Sequence, residues 1–183
     1  MPLAICLGVA WILLSITPCW GSPPSAGDLV FRQGTEPISD AVMALDQGGY
    51  SHVGLLVGQP NEWQILHAVP DDGVTLEPLA EFTAPDNASH YAVLQVDATP
   101  VQRSNAIAYA FSRLGLPFKI LPADASRGSG IYCTLLIHDA WAAAGLDLQA
   151  PFKNINMPLA RGRYLLPSGL MDSPVLHSFT TCP

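Results

Sequence analysis

"YSHVGLLVGQPNEWQILHAV", residues 50–69, decides the fold. Two β-rich runs, YSHVGLLV and EWQILHAV, flank GQPN, which is turn chemistry. With Gly58–Asn61 as a four-residue hairpin loop, Val57 pairs with Glu62, and counting back places His52 opposite His67. Directly opposed residues in an antiparallel pair point to one face, with Cβ atoms about 5 Å apart. Two histidines 15 residues apart in sequence thereby become neighbours. A slip of one residue would separate them onto opposite faces, so the expectation hangs on the loop length. Neighbouring imidazoles suit a base and its orienter: one ring takes a proton from a thiol, and the other fixes its tautomer. Taken singly, either ring reads first as a half-buried histidine bonded to backbone. Zinc held by His52, His67 and a third ligand has no supporting spacing.

A second stretch, "GIYCTLLIHDAWAAAG" at residues 130–145, puts a cysteine where a loop turns into a helix. With Tyr132 near the N-cap, Cys133 falls in the first turn, where unpaired N–H groups and the helix dipole favour a thiolate. Its thiol is therefore expected well below the unperturbed ~8.5, with fast alkylation near neutral pH. The plainer reading is a small buried hydrophobe. His138, five positions on, faces elsewhere as a surface or packing residue, and nothing singles out His90 or His177.

The chain has 183 residues, 49% hydrophobic and 13% charged, with formal net charge −7. Its Lys and Arg are scattered, which argues against nucleic acid and leaves no polybasic patch for anionic lipid. Met1–Gly27 carry no charged side chain and include a 14-residue apolar run, LAICLGVAWILLSI. That run is short for a membrane span and suits a signal-peptide core, although no Lys or Arg precedes it. Residues 1–26 thus read as a signal peptide or N-terminal anchor, with cleavage before residue 28, and residues 27–183 as one domain. Cys19 is a weak match to a lipid-acylation site. The mature chain would keep Cys133 and Cys182, which could pair in a disulfide. CxxC, HExxH, GxxxxGK[ST] and GxGxxG are absent, so no cofactor or metal is expected.

Along the chain, GDLVF reads as a strand, residues 36–47 as a short helix, GVTLEPL as a strand and SHYAVLQVD as another. TPVQRSNAIAYAFSRLG has a Thr cap, a Pro at the first helical position and a closing Gly, so it is a helix. A loop rich in Gly, Pro and Ser leads to Cys133, and its end, Arg127 to Gly130, is expected to give the cysteine access to solvent. The chain beyond Gly145 reads as irregular. Short strands in a block flanked by helices indicate an α+β domain.

With these residues assembled, the chain resembles the circularly permuted papain-like amidases of the YiiX and YebB type, relatives of the NlpC peptidoglycan hydrolases and of lecithin:retinol acyltransferases. The resemblance runs from about Gly27 to Leu146. It rests on GDLVF (Gly27–Phe31), Ser-His-Val-Gly (Ser51–Gly54), ILHAV around His67, and the Tyr-Cys start of a late helix, YCTLL. It implies a permuted papain-like, NlpC-like α+β fold: a small antiparallel sheet or half-barrel against helices, with a catalytic Cys at a helix N-terminus. It makes Cys133 the nucleophile, His52 the base and His67 the third polar member; Ser51 and Tyr132 are the expected substrate-binding residues, with packing an equal reading for Tyr132. Thr134 stands where the family has Ser, and Leu135 where it commonly has Glu.

The expected function is a cysteine hydrolase of periplasmic or secreted location, cleaving amides of peptidoglycan peptides or another envelope component. A lipid or N-acyl hydrolase or acyltransferase is the alternative, and a non-catalytic binding domain the third reading. The expected partner is a peptide-like or lipid-like amide, with membrane proximity through the N-terminal segment.

Overall fold

The computed structural model describes residues 23–157 and 160–178. The N-terminal leader with Cys6 and Cys19, and the tail with Cys182, lie outside them. Strands β1 (Leu29–Gly34), β2 (His52–Val57), β3 (Gln64–Val69), β4 (Gly73–Pro78), β5 (Ala88–Val96) and β8 (Leu176–Ser178) form one sheet. Its order is β4-β3-β2-β1-β5-β8, and every pairing is antiparallel. Between them run helices α1 (Pro37–Leu45), α2 (Leu79–Phe82), α3 (Pro100–Phe111), α4 (Cys133–Ala143) and α5 (Pro167–Met171). The α+β class with an antiparallel sheet against helices is as expected.

Strand alternation splits the apolar side chains into two cores. Leu29, Phe31, Val53, Leu55 and Leu66 join Leu135, Leu136 and Trp141 of α4 in the larger core. Val30, Leu56 and Ile65 pack with Phe82 of α2 in the smaller one. Thr99 caps α3 through a reciprocal pair: its side chain accepts from the Gln102 N–H, and Gln102 accepts from the Thr99 N–H.

Two expectations are corrected here. The region beyond Gly145 is not irregular: β6 (Lys153–Met157) and β7 (Ala160–Tyr164) pair as a second sheet, and β8 adds to the main one. Lys153, Asn154, Asn156 and Met157 are all exposed, so β6 lacks the alternation that betrays a half-buried strand. The β2–β3 register is also displaced by two residues, with Leu55 opposite Leu66, Leu56 opposite Ile65 and Val57 opposite Gln64. The loop holds six residues, Gly58–Trp63, because an inner turn (Glu62 N–H to Gln59 C=O, 2.9 Å) lengthens it. Gly58 and Asn61 take positive φ of 99° and 73° in that turn.

Candidate active site

Cys133 is the first residue of α4, with Tyr132 in extended conformation as its N-cap and no side chain capping the helix. The Tyr132 hydroxyl accepts the Leu165 N–H (3.0 Å), and the Thr134 hydroxyl donates to the Leu165 C=O (2.7 Å). One residue of the β7–α5 connection thus clamps both neighbours of the cysteine. Cys133 itself is a free thiol.

His52 opens β2 and His67 lies in β3. Because the register moved by two residues rather than one, the histidines keep their shared face and sit diagonally instead of directly opposite. His52 Nε2 lies 2.9 Å from His67 Nδ1, and the rings meet edge to face. Phe82 packs against both. Gly54 keeps the approach open, since a Cβ there would fall 2.1 Å from Ile65 Cγ2 and 3.2 Å from His67 Cβ. The pairing of β2 with β3 ends at Leu55–Leu66, and the Val53 N–H beyond it is directed at the Cys133 sulfur. The start of α4 therefore reaches the strand residue adjacent to His52.

Two charged residues of this cluster were not anticipated. Arg32 of β1 pairs with His52 across the strands and is buried, yet its guanidinium lies over the Phe82 ring. It binds Glu36 (2.5 Å), the Phe82 C=O (3.2 Å) and, at 3.7 Å, Glu77 of β4. Glu77 Oε2 is also 3.4 Å from His67 Nε2. The register of β4 on β3 sets Glu77 opposite Ile65, on the His67 face. The sequence signals were thin: a charged residue inside GDLVFRQG, and an acid at an alternating position of GVTLEPL.

Electrostatics pull the site toward neutrality. Burial holds His52 well below the ordinary histidine value, helped by His67 and Arg32. Burial, then Arg32, pushes His67 down to about 3. Glu77 is raised by burial, against the pull of Arg32. The expected low thiol pKa of Cys133 is reversed: burial pushes it up to about 11. The N–H groups of Val53, Thr134 and Cys133, together with Arg32, offset only part of that rise. At neutral pH the site rests as thiol plus neutral imidazoles.

Cys133, His52, Ser51 and Tyr132 all line one cavity of about 520 Å³. Ser51 and Tyr132 also hold the scaffold, since the Ser51 hydroxyl accepts the Gly34 N–H (2.9 Å). Of the loop ahead of Cys133, Phe118 and Ile120 line this cavity, whereas Gly128, Ser129 and Gly130 are not part of its lining. Leu135 is fully buried in the larger core, where a carboxylate would lack water. His138 is a packing residue against Phe152, as expected.

No curated protein matches the chain. Among solved structures it is similar to the crystal structure of metalloprotein yiiX from Escherichia coli O157:H7. The TM-score is 0.73 at 20% identity, covering 88% of this chain and 98% of that one. "Metalloprotein" is said of that protein; among the described residues here, no three His, Cys, Asp or Glu side chains cluster to hold a metal ion. A family model described as "permuted papain-like amidase enzyme, YaeF/YiiX, C92 family" matches residues 24–163. That match covers most of the chain, including Cys133, His52, His67, Arg32 and Glu77, and the chain belongs to this family of permuted papain-like amidases.

Proposed function

We propose that the chain is a cysteine amidase in which Cys133 is the nucleophile, His52 the base and His67 its orienter. The observation that carries this is the His52 Nε2–His67 Nδ1 hydrogen bond, at a cavity wall that His52 shares with Cys133. Hydrogen-bond accounting supports a direction. Glu77 Oε2 stands 3.4 Å from His67 Nε2, a long contact at which an ionised carboxylate favours the Nε2–H tautomer; in that tautomer His67 Nδ1 accepts and His52 Nε2 donates. His52 Nδ1 is then left with its lone pair, free to take a proton.

Since the thiol is raised and the imidazole lowered, attack and proton transfer occur together instead of starting from a preformed ion pair. The Cys133 proton passes to His52 Nδ1 as sulfur bonds to the amide carbon. The carbonyl electrons move to oxygen, where the Cys133 N–H, at the open helix start, is a donor for the oxyanion. His52 gives its proton to the departing amine nitrogen as the C–N bond breaks. Water, its proton taken by His52, then attacks the thioester carbon; the C–S bond breaks, His52 returns the proton to the Cys133 sulfur, and the acyl group leaves as its carboxylate.

The amide is proposed to belong to the cell envelope, where the leader-like residues 1–26 would direct the chain. Peptidoglycan peptides are the first substrate reading, and N-acyl amides the second, favoured by the apolar side chains of Ile38, Val42, Leu45, Phe118, Ile120 and Ile155 that line the cavity at Cys133. The test is intact-mass analysis after mixing wild type and Cys133→Ala with muropeptides and with N-acyl amides. A thioester adduct on Cys133 in wild type supports the reading. Equal hydrolysis by both proteins would overturn it.

A further inference from the structure

The β6–β7 ribbon is a wall with two unlike faces. Opposed residues of an antiparallel pair share a face, and the register sets Asn154 opposite Arg163 and Asn156 opposite Arg161 on one side. Ile155, opposite Gly162, and Tyr164, opposite Lys153, fall on the other side and line the cavity at Cys133. The two asparagines and two arginines line a second groove of about 540 Å³, bordered by Ala123 and Asp124. That border is fastened to the ribbon. The Ala123 N–H donates to the Arg163 C=O (2.8 Å), and Pro122 closes on Gly162, where a Cβ would fall 2.8 Å from Pro122 Cβ.

The cations of this groove are held in place but not neutralised. Arg161 Nε donates to Asn156 Oδ1 (3.1 Å), and the Arg163 guanidinium lies 5.3 Å from the centre of the Phe152 ring. Both arginines are exposed, and no carboxylate of the described residues reaches ion-pair distance of either, whereas Arg32 and Arg103 are bound to carboxylates. Paired guanidinium forks suit a planar oxyanion. The balance of charge points the same way. Two arginines face one acid, Asp124, in the groove, while the lining at Cys133 sets Arg32 against Glu36, Asp71 and Asp72. An anionic group is thus repelled from the cavity and drawn to the groove, and the two meet at Ile155, which lines both.

We propose that the groove is a carboxylate subsite, in which Arg161 and Arg163 hold the free carboxylate of a substrate that crosses Ile155 and places its amide at Cys133. The substrate class is then an amide with a carboxylate at its far end, such as a peptide with a free C-terminus. The position of the amide rests on the reading of Cys133 as nucleophile. The subsite itself rests on the ribbon alone.

Full-length Cys133→Ala, titrated with acetyl-trialanine and with its C-terminal amide, tests the subsite by NMR of the arginine Nε–Hε groups. The carboxylate form should move the Arg161 and Arg163 resonances, and the amide form should leave them in place. Arg161→Gln and Arg163→Gln should each raise the apparent Kd by about three- to tenfold, with the backbone spectrum otherwise kept. Asp124→Asn, which removes the opposing acid, should lower it by about twofold, a gain that a misfolded variant would not give. Resonances that stay still, an affinity unchanged in the double arginine variant, or weaker binding in Asp124→Asn would each overturn the subsite. Inorganic phosphate moving both resonances where the carboxylate does not would overturn it too, since the groove would then read a phosphate.

The path to Cys133 is read separately, in the wild-type cysteine protein at alkaline pH, where iodoacetamide labels even an unactivated thiol. Acetyl-trialanine should slow labelling of Cys133, located by peptide mapping, and should lose that effect in the double arginine variant. Binding without protection would detach the groove from the cysteine and overturn the substrate assignment. The nucleophile reading would stand or fall on its thioester adduct instead.

Discussion

The two ends of β1 each carry a buried arginine–carboxylate cluster, and they behave oppositely. At the start, Asp28 is fully buried and every oxygen is used: Oδ2 accepts the Ser25 N–H (2.7 Å), and Oδ1 accepts the Val96 N–H (3.2 Å) and Arg103 Nη1 (2.7 Å). Arg103 in turn reaches the carbonyls of Ala26 and Val96. At the other end, Arg32 Nε is buried without a partner, burial and then the Arg32 charge depress two histidines, and burial raises Glu77 against that charge. A satisfied polar network fixes a fold, whereas one that holds groups away from their preferred charge is ready to move protons. The Gly-Asp element of the sequence is thus structural in this chain, and the strained electrostatics belong to the other end.

Breaking the Arg32 end should remove activity before stability. His52→Ala is expected to lower kcat by roughly 10²–10⁴-fold, with denaturation midpoints little changed. Alkylation of Cys133 in wild type should be slow at pH 7 and climb as pH approaches about 11, the opposite of an activated thiolate. A plateau already reached at neutral pH would show a thiolate–imidazolium pair at rest. The Asp28 end should respond the other way. Asp28→Ala strands the Arg103 charge and is expected to cost about 3–5 kcal/mol in urea unfolding. A loss below about 1 kcal/mol would mean that Asp28 is not the clamp its contacts describe.

How far the sequence made this legible depends on where the information sits. Strands β1–β5 and helices α1, α3 and α4 follow from local signals: apolar runs, the Thr99 cap, and glycines such as Gly49 and Gly145 with φ of 82° and 76°. The histidine pair was legible for a sound reason with a wrong detail. The loop is longer than GQPN, yet a shift by two preserves the face that a shift by one would have lost. Arg32 and Glu77 were not legible, since their meeting depends on three strand registers and on Phe82 arriving from α2. The thiol direction was misread because a helix start raises only a local expectation, and burial is set by the whole fold.

The histidines offer a stability test of the same contrast. His67, 2% exposed and held at about 3, stays neutral in the fold while an unfolded histidine protonates near 6.5. Between those values the unfolded chain binds the extra proton, so stability falls as pH drops from about 6.5 toward 3. This one site contributes at most about 1.4 kcal/mol per pH unit. The difference curve between wild type and His67→Gln should be flat above pH 6.5 and slope below it. Parallel curves throughout would remove His67 from this role. Carboxylates remote from His67 that titrate in the same range cancel in the difference.

The smallest expected effect falls on Glu77, which touches no reacting atom and acts through His67. Glu77→Gln keeps the shape but loses the charge that selects His67 Nε2–H, and with it the tautomer that frees His52 Nδ1. We expect kcat to fall by about tenfold with KM unchanged. The pH profile separates positioning from packing. In wild type, protonation of Glu77, whose pKa is raised, turns it from acceptor to donor and removes activity as pH falls through that value. The Gln variant cannot titrate there, so its acid limb should lose this component and follow His52 alone, while Glu77→Asp should recover part of both rate and limb. A tenfold loss with the wild-type acid limb intact would show that Glu77 merely packs against Arg32. The charged end of β1 would then work through the histidines only.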